Sequence, residues 1–220
     1  MINGILASLL VLLLAGGCSR LPKIIVLDDP LTPAEHVELG VAYERKGEID
    51  LARREYEMAL RKDRKFFQAR VNLGNVFLAK KEFGKARAEY LLALEVRPGD
   101  AEATNNLAWC AILSGEGIDD AMARMNAVVS GPSGRRPAFL DTAGVLRMRA
   151  NRPDTAADAF AEAEKMCREA KAASGSGAQG AAGDPGPVAC PEEVRREIEE
   201  HRGELRKRFP SPSSPPALIK

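Results

Sequence analysis

A stretch of this chain returns, residue type for residue type, 34 positions later. Leu39-Gly40-x-x-Tyr43 comes back as Leu73-Gly74-x-x-Phe77. Ala52-x-x-x-Tyr56-x-x-Ala59-Leu60 comes back as Ala86-x-x-x-Tyr90-x-x-Ala93-Leu94. A third copy opens on Leu107-Ala108-x-x-Ala111, and a fourth shows Ala143-Gly144 and then Ala156-x-x-x-Phe160-x-x-Ala163. A fixed period of this length means one supersecondary unit per copy, each too small to bury its apolar face alone, so the copies must stack. Inside a copy the apolar residues recur at helical spacing. Composition points the same way: aromatics are 5% of the chain, and Ala, Leu, Glu, Arg and Lys dominate. Val, Ile and Thr never alternate as a strand requires. The expected fold class is all-α, with helices over 34–46 and 49–63, 67–80 and 83–96, 101–114 and 118–130, and 137–150 and 153–171.

Leu-Gly and an aromatic in a first helix, then Ala, an aromatic and Ala in a second, then Pro98, resemble the tetratricopeptide repeat. The resemblance runs over 33–171 and implies a right-handed superhelical solenoid of about four helix pairs: 33–66, 67–100, 101–136 and 137–171. Gly40, Gly74, Ala108 and Gly144 are expected where the two helices of a pair come closest, with Ala52, Ala86, Ala121 and Ala156 at the matching contact. The aromatics Tyr56, Tyr90 and Phe160 are expected to pack into the next pair's first helix. Pro98 stops one helix, Asp100 caps the next, and Gly47 and Gly115 mark turns inside pairs. Thr32-Pro33-Ala34-Glu35 reads as an N-cap, a first-turn proline and the glutamate of a capping box. Copies three and four are degraded. Copy three has an extra residue in its turn and Met125 in place of the aromatic, and Ser130–Gly134 is expected to break the array before copy four.

Ahead of the array, Ile5–Ala15 is an apolar run of 11 residues, short of the about 20 a membrane span needs but suited to the core of a secretory signal. Leu14-Ala15-Gly16-Gly17-Cys18 resembles the bacterial lipobox. That resemblance implies a signal peptide over 1–17, lipid on Cys18 and, with Ser19 next, the periplasmic face of the outer membrane. The alternative is a plain secretory signal cut near Gly17 that leaves Cys18 a free thiol. Residues 18–32 form a tether whose Ile24–Leu27 patch either hangs free or packs on the first pair. Behind the array come a flexible linker over 172–190, a charged helix over 191–209 and a disordered tail over 210–220. Val194, Ile198, His201, Leu205 and Phe209 share one face of that helix, which can cover the open end of the solenoid.

Net charge is +1, from 32 basic and 31 acidic residues, so nothing electrostatic calls for nucleic acid. Cys167 and Cys190 flank the linker and either form a disulfide or stay as two thiols. Cys110, beside Trp109, reads as a buried small hydrophobe. Without a Cys-x-x-Cys spacing no metal is expected. His36 and His201 lie near no recognisable nucleophile, and His36 stands where the repeat family has Trp, a packing position. Gly175-x-Gly177 follows no strand and precedes no Gly-Lys-Ser/Thr, so it reads as linker. No catalysis, cofactor or small-molecule substrate is expected.

First helices of stacked pairs line the concave face of such a solenoid. On it the expected partner-binding residues are Asn72, Asn75, Asn105, Asn106 and Trp109, with Leu78, Ala79, Ile112 and Leu113 deeper and Arg70 and Lys80 at the edge. Asparagine amides can both donate to and accept from an extended peptide backbone, and a tryptophan suits an anchoring hot spot. The same asparagines could equally bond helix to helix inside the core. Asn75 and Asn106 match the asparagines of the family's carboxylate clamps, but Val71, Ala138 and Thr142 stand where the clamp has its basic residues. The functional expectation is a lipid-anchored, non-catalytic envelope scaffold that binds a protein or peptide, in assembly of a pilus, secretion or polysaccharide-export machine. The alternative is an accessory subunit presenting substrate to an envelope peptidase or cell-wall enzyme.

Overall fold

The structure, a computed structural model, describes residues 29–131, 134–175 and 190–210. The signal segment, the lipobox with Cys18, most of the tether, the linker from 176 to 189 and the tail from 211 lie outside the described residues. Residues up to Leu31 form a unit of their own, and the helices all belong to the second unit, Thr32–Lys220.

Nine helices and no strand are present among the described residues: α1 (Pro33–Arg45), α2 (Ile49–Lys62), α3 (Phe67–Ala79), α4 (Phe83–Val96), α5 (Ala101–Ser114), α6 (Ile118–Ser130), α7 (Pro137–Arg149), α8 (Pro153–Gly175) and α9 (Glu192–Arg208). Local chemistry sets their ends. Thr32 Oγ1 accepts the Glu35 backbone N–H at 3.3 Å, and Glu35 Oε2 takes the Thr32 N–H at 2.7 Å, which holds the Glu35 carboxyl below its ordinary pKa. Asp100 caps α5 by accepting from the Ala103 N–H at 3.0 Å. The turns inside the pairs use the left-handed region: Gly47 (φ 78°), Lys81 (59°) and Asn151 (59°) singly, and Gly115 (77°) with Gly117 (71°) in the longer third turn.

Successive helices pack as antiparallel pairs, α1 with α2, α3 with α4, α5 with α6 and α7 with α8. Each first helix also lies against the first helix before it, whereas no two second helices pack closely among the described residues. A stack in which only one layer closes up must curve, with that layer inside. The inner layer is therefore α1, α3, α5, α7 and α9. Helix α9 packs on both α7 and α8, as α7 packs on α5 and α6. It thus takes the place that a fifth pair's first helix would fill, and its polar outer side ends the stack.

Burial follows these neighbours. On α1, which has no earlier pair beside it, only His36, Val37 and Gly40 are buried. On α7, enclosed by α5, α6, α8 and α9, every residue from Phe139 to Leu146 is buried. One apolar cluster joins α1 to α5, through Tyr56, Leu73, Tyr90 and Leu107. A second runs from α5 to α9, through Ala108, Met125, Leu146, Phe160 and Leu205.

The aromatics face the next first helix, as Phe160 does toward His201 on α9, and they also lie across the glycine of their own pair. A Cβ on Gly74 would meet the Tyr90 ring at 2.6 Å, and Gly40 with Tyr56 and Gly144 with Phe160 are as close. Two expectations need correction. The array does not break before α7. Gly134 tucks under the Val128 carbonyl, where any side chain would collide, and this lets the inserted turn fold back on the end of α6 while stacking continues. The linker begins later than residue 172, because α8 runs on to Gly175. Nothing in Lys171-Ala172-Ala173 breaks a helix, and alanine is the strongest former.

Candidate partner-binding face

Asn75 and Asn106 meet where α3 and α5 lie side by side. Asn75 Oδ1 accepts from the Asn106 side-chain amide at 3.0 Å and from the Tyr90 hydroxyl at 2.8 Å. Burial pushes the Tyr90 hydroxyl's pKa up, which keeps it a donor. The Asn75 amide nitrogen and the Asn106 side-chain carbonyl have no partner among the described residues. Asn75 is exposed and Asn106 half-buried, so these groups face solvent.

Trp109 follows Asn106 by three positions on α5, and Leu113 follows Trp109 by four, which puts all three on one stripe. Trp109 is half-buried, and Leu113 is 55% exposed, the most exposed large apolar side chain among the described residues. Asn105, next to the stripe, has its Oδ1 buried with no donor among the described residues. Together these side chains make a strip on the inner layer that is polar at α3 and apolar along α5.

Not every expected residue joins it. Asn72 is only 8% exposed and accepts from the Gln68 amide at 3.1 Å, so it serves the interior between α2 and α3. Ile112 is buried in the second cluster. Arg70 turns toward α4: its guanidinium pairs with Glu89 at 2.6 Å and donates to the Arg64 carbonyl at 2.7 Å. It lines a separate hollow with Lys65, Leu92 and Val96. Lys80 is ion-paired to Asp50.

At its far end the strip meets α9. The His201 ring lies 6.3 Å from Trp109 and 6.1 Å from Phe160, centre to centre. His201 Nδ1 is 2.8 Å from the carboxylate of Asp141, itself 3% exposed on α7. The hydrogen bond to Asp141 holds the His201 pKa above its ordinary value, against the opposing pull of burial. Cys167 on α8 is bonded to Cys190, just ahead of α9, with Cα atoms 5.0 Å apart. Sequence reasoning missed Asp141. Its signal was a lone carboxylate inside the otherwise uncharged run Phe139–Val145, together with a histidine on the apolar face of the last helix.

Elsewhere the reactive residue types sit in packing positions. The Cys110 thiol is buried, donates to the Phe83 carbonyl at 3.3 Å, and has its pKa raised by burial. Buried His36 bonds Glu55 at 2.8 Å. No group of three His, Cys, Asp or Glu side chains that could hold a metal exists among the described residues.

Residues 37–101 match the family model of the tetratricopeptide repeat. No curated protein matches the chain by sequence. Among solved structures, the chain is similar to MamA from Desulfovibrio magneticus RS-1 (from residue 41 of that protein to its end). Identity there is 11%, the match covers 80% of this chain and 93% of that one, and the TM-score is 0.55. It is similar to PilF of Pseudomonas aeruginosa at 17% identity, over 84% of this chain and 79% of that one, with a TM-score of 0.55. It is similar to PilW, a widely conserved type IV pilus biogenesis factor, at 16% identity, over 82% of this chain and 95% of that one, also with a TM-score of 0.55. At such identities the likeness is one of fold. Residues 37–101 thus carry the tetratricopeptide repeat signature, and two further helix pairs stack on them in the same way.

Proposed function

We propose that this chain is a non-catalytic scaffold of the bacterial cell envelope, held to the outer membrane by lipid on Cys18, that grips a partner protein on the strip from Asn75 to Leu113. The observation that carries the reading is the strip itself. The Asn75 amide nitrogen and the Asn106 side-chain carbonyl, left open by the bond between the two side chains, stand next to the half-buried Trp109 and the exposed Leu113. An extended segment laid along it would find backbone partners at one end and an apolar anchor at the other. The repeat family supports a binding role over chemistry. The fold it shares with a type IV pilus biogenesis factor, and the lipobox-like Leu14–Cys18, favour assembly of an envelope machine such as a pilus.

The test is capture of partners from detergent-solubilised envelopes by the intact chain and by a Trp109→Ala, Asn75→Ala variant. The proposal expects a specific partner to be lost from the variant, whose helix content stays unchanged. An unaltered set of captured proteins would overturn the strip as the binding surface. For the anchor, Cys18→Ser should release the protein from the membrane fraction, and unchanged retention would count against lipid at that residue.

A further inference from the structure

Arg147 stands on α7 where the first two copies carry Tyr43 and Phe77. A cation therefore occupies what is in those two copies an aromatic packing position. Its guanidinium is half-buried and donates only to neutral oxygens, to Asn126 Oδ1 on α6 at 2.8 Å and to the Thr155 carbonyl on α8 at 3.1 Å. Among the described residues it has no carboxylate within ion-pair distance. Burial lowers its pKa, and Asp158 nearby partly restores it. A desolvated charge without a counter-ion is costly unless something supplies one.

Beside it opens a hollow of about 330 Å³ lined by Met122, Asn126, Arg147, Arg152, Thr155 and Asp158. Arg152 is exposed at this hollow, and its side chain has no partner among the described residues. None of the lining residues belongs to the strip from Asn75 to Leu113, and none stands at a clamp position of the family. We propose that Arg147 and Arg152 form a binding site for a single carboxylate presented by a peptide. A guanidinium fork suits a carboxylate, which it can bond through two N–H groups at once. The charge balance selects a monoanion. Two guanidinium groups and Asp158 leave one net positive charge in the hollow, and Asp158 would repel a second negative charge on the ligand.

The experiment uses the full chain and follows arginine side-chain N–H resonances while short probes are titrated in. The probes are an acetylated tripeptide with a free C-terminus, an acetylated and amidated tripeptide carrying one aspartate, a neutral amidated tripeptide, and inorganic phosphate. Saturable shifts with either carboxylate peptide, and none with the neutral one, are expected; whichever carboxylate peptide binds tighter tells a chain end from a side chain. Arg152→Gln, a change at an exposed position, should weaken binding at least fivefold. Asp158→Asn should tighten it by a similar factor. Equal binding of the neutral peptide, no saturable shift, tighter binding of phosphate, or an Arg152→Gln variant that binds as well as the parent would each overturn the site.

Discussion

Gly74 and Tyr90 show why the repeat has the residue types it has. The ring lies so close over the glycine that a Cβ there would sit 2.6 Å from it. A ring cannot bend away as a flexible side chain can, so Gly74→Ala must push helix from helix and should cost about 1–3 kcal/mol in urea unfolding. The third copy carries the complementary solution: Ala108 in place of the glycine, and Met125, buried in the same cluster, in place of the aromatic. Pairing Gly74→Ala with Tyr90→Met should therefore cost less than the two single changes summed, by about 1 kcal/mol. Strict additivity would mean that the ring and the glycine are not coupled. The recurrence of both residue types was legible in the sequence as a shared period, but their contact was not, since the period sets Gly74 against Ala86 as readily as against Tyr90. Arg70 was not legible in the same way. Its partner Glu89 lies on another helix, and only the packed pair shows that the guanidinium turns away from the Asn75–Asn106 contact.

Helix α9 shows what a single element contributes. Ile198 and Leu205 bury its apolar face against α7 and α8, and the Cys167–Cys190 bond fixes its start. Closing a loop of that length restricts the unfolded chain by roughly 3 kcal/mol. His201 adds a pH-dependent share. Asp141, helped by Glu197 and Glu204, raises its pKa in the fold, so the docked helix binds a proton more tightly than the undocked one does. That share is fully present below the unfolded histidine value of about 6.5 and is lost as pH rises through the folded value. A Cys190→Ser chain, without the covalent tie, should show faster amide exchange in α9 at pH 8.5 than at pH 5.5 beyond the intrinsic base-catalysed increase. Asp141→Asn in that background should flatten the excess, and an excess that survives would assign the pH effect to another group. The face and rough bounds of this helix were legible from five residues at helical spacing. Its seat was not, because Asp141 and Phe160, which receive His201, are distant in sequence.

Across the whole molecule the apolar interior is a chain of clusters. The cluster holding Leu107 and Cys110 reaches back to α1, while Ala108, Ala111 and Ile112 on the same helix belong to the cluster that reaches α9. Helix α5 is thus the wall the two halves share. A period of 34 made the stack legible, since each copy must bury its face on the next. Its unbroken course past residue 134 was not, because it depends on Gly134 fitting under a carbonyl that no local pattern announces. In a stack where each pair touches only its neighbours, a defect should spread no further than its cluster unless it lies in a shared wall. Ile198, 1% exposed at one end, and Leu107, 2% exposed on α5, test this directly. Replacing either with alanine removes a buried aliphatic side chain, at about 2–5 kcal/mol. With Ile198→Ala, hydrogen exchange should quicken in α7, α8 and α9 and stay slow in α1 to α4. With Leu107→Ala it should quicken on both sides of α5 together. Equal acceleration throughout for both variants would mean that the array opens as one cooperative unit, and the partner strip, which spans α3 and α5, would then feel every change at the capped end.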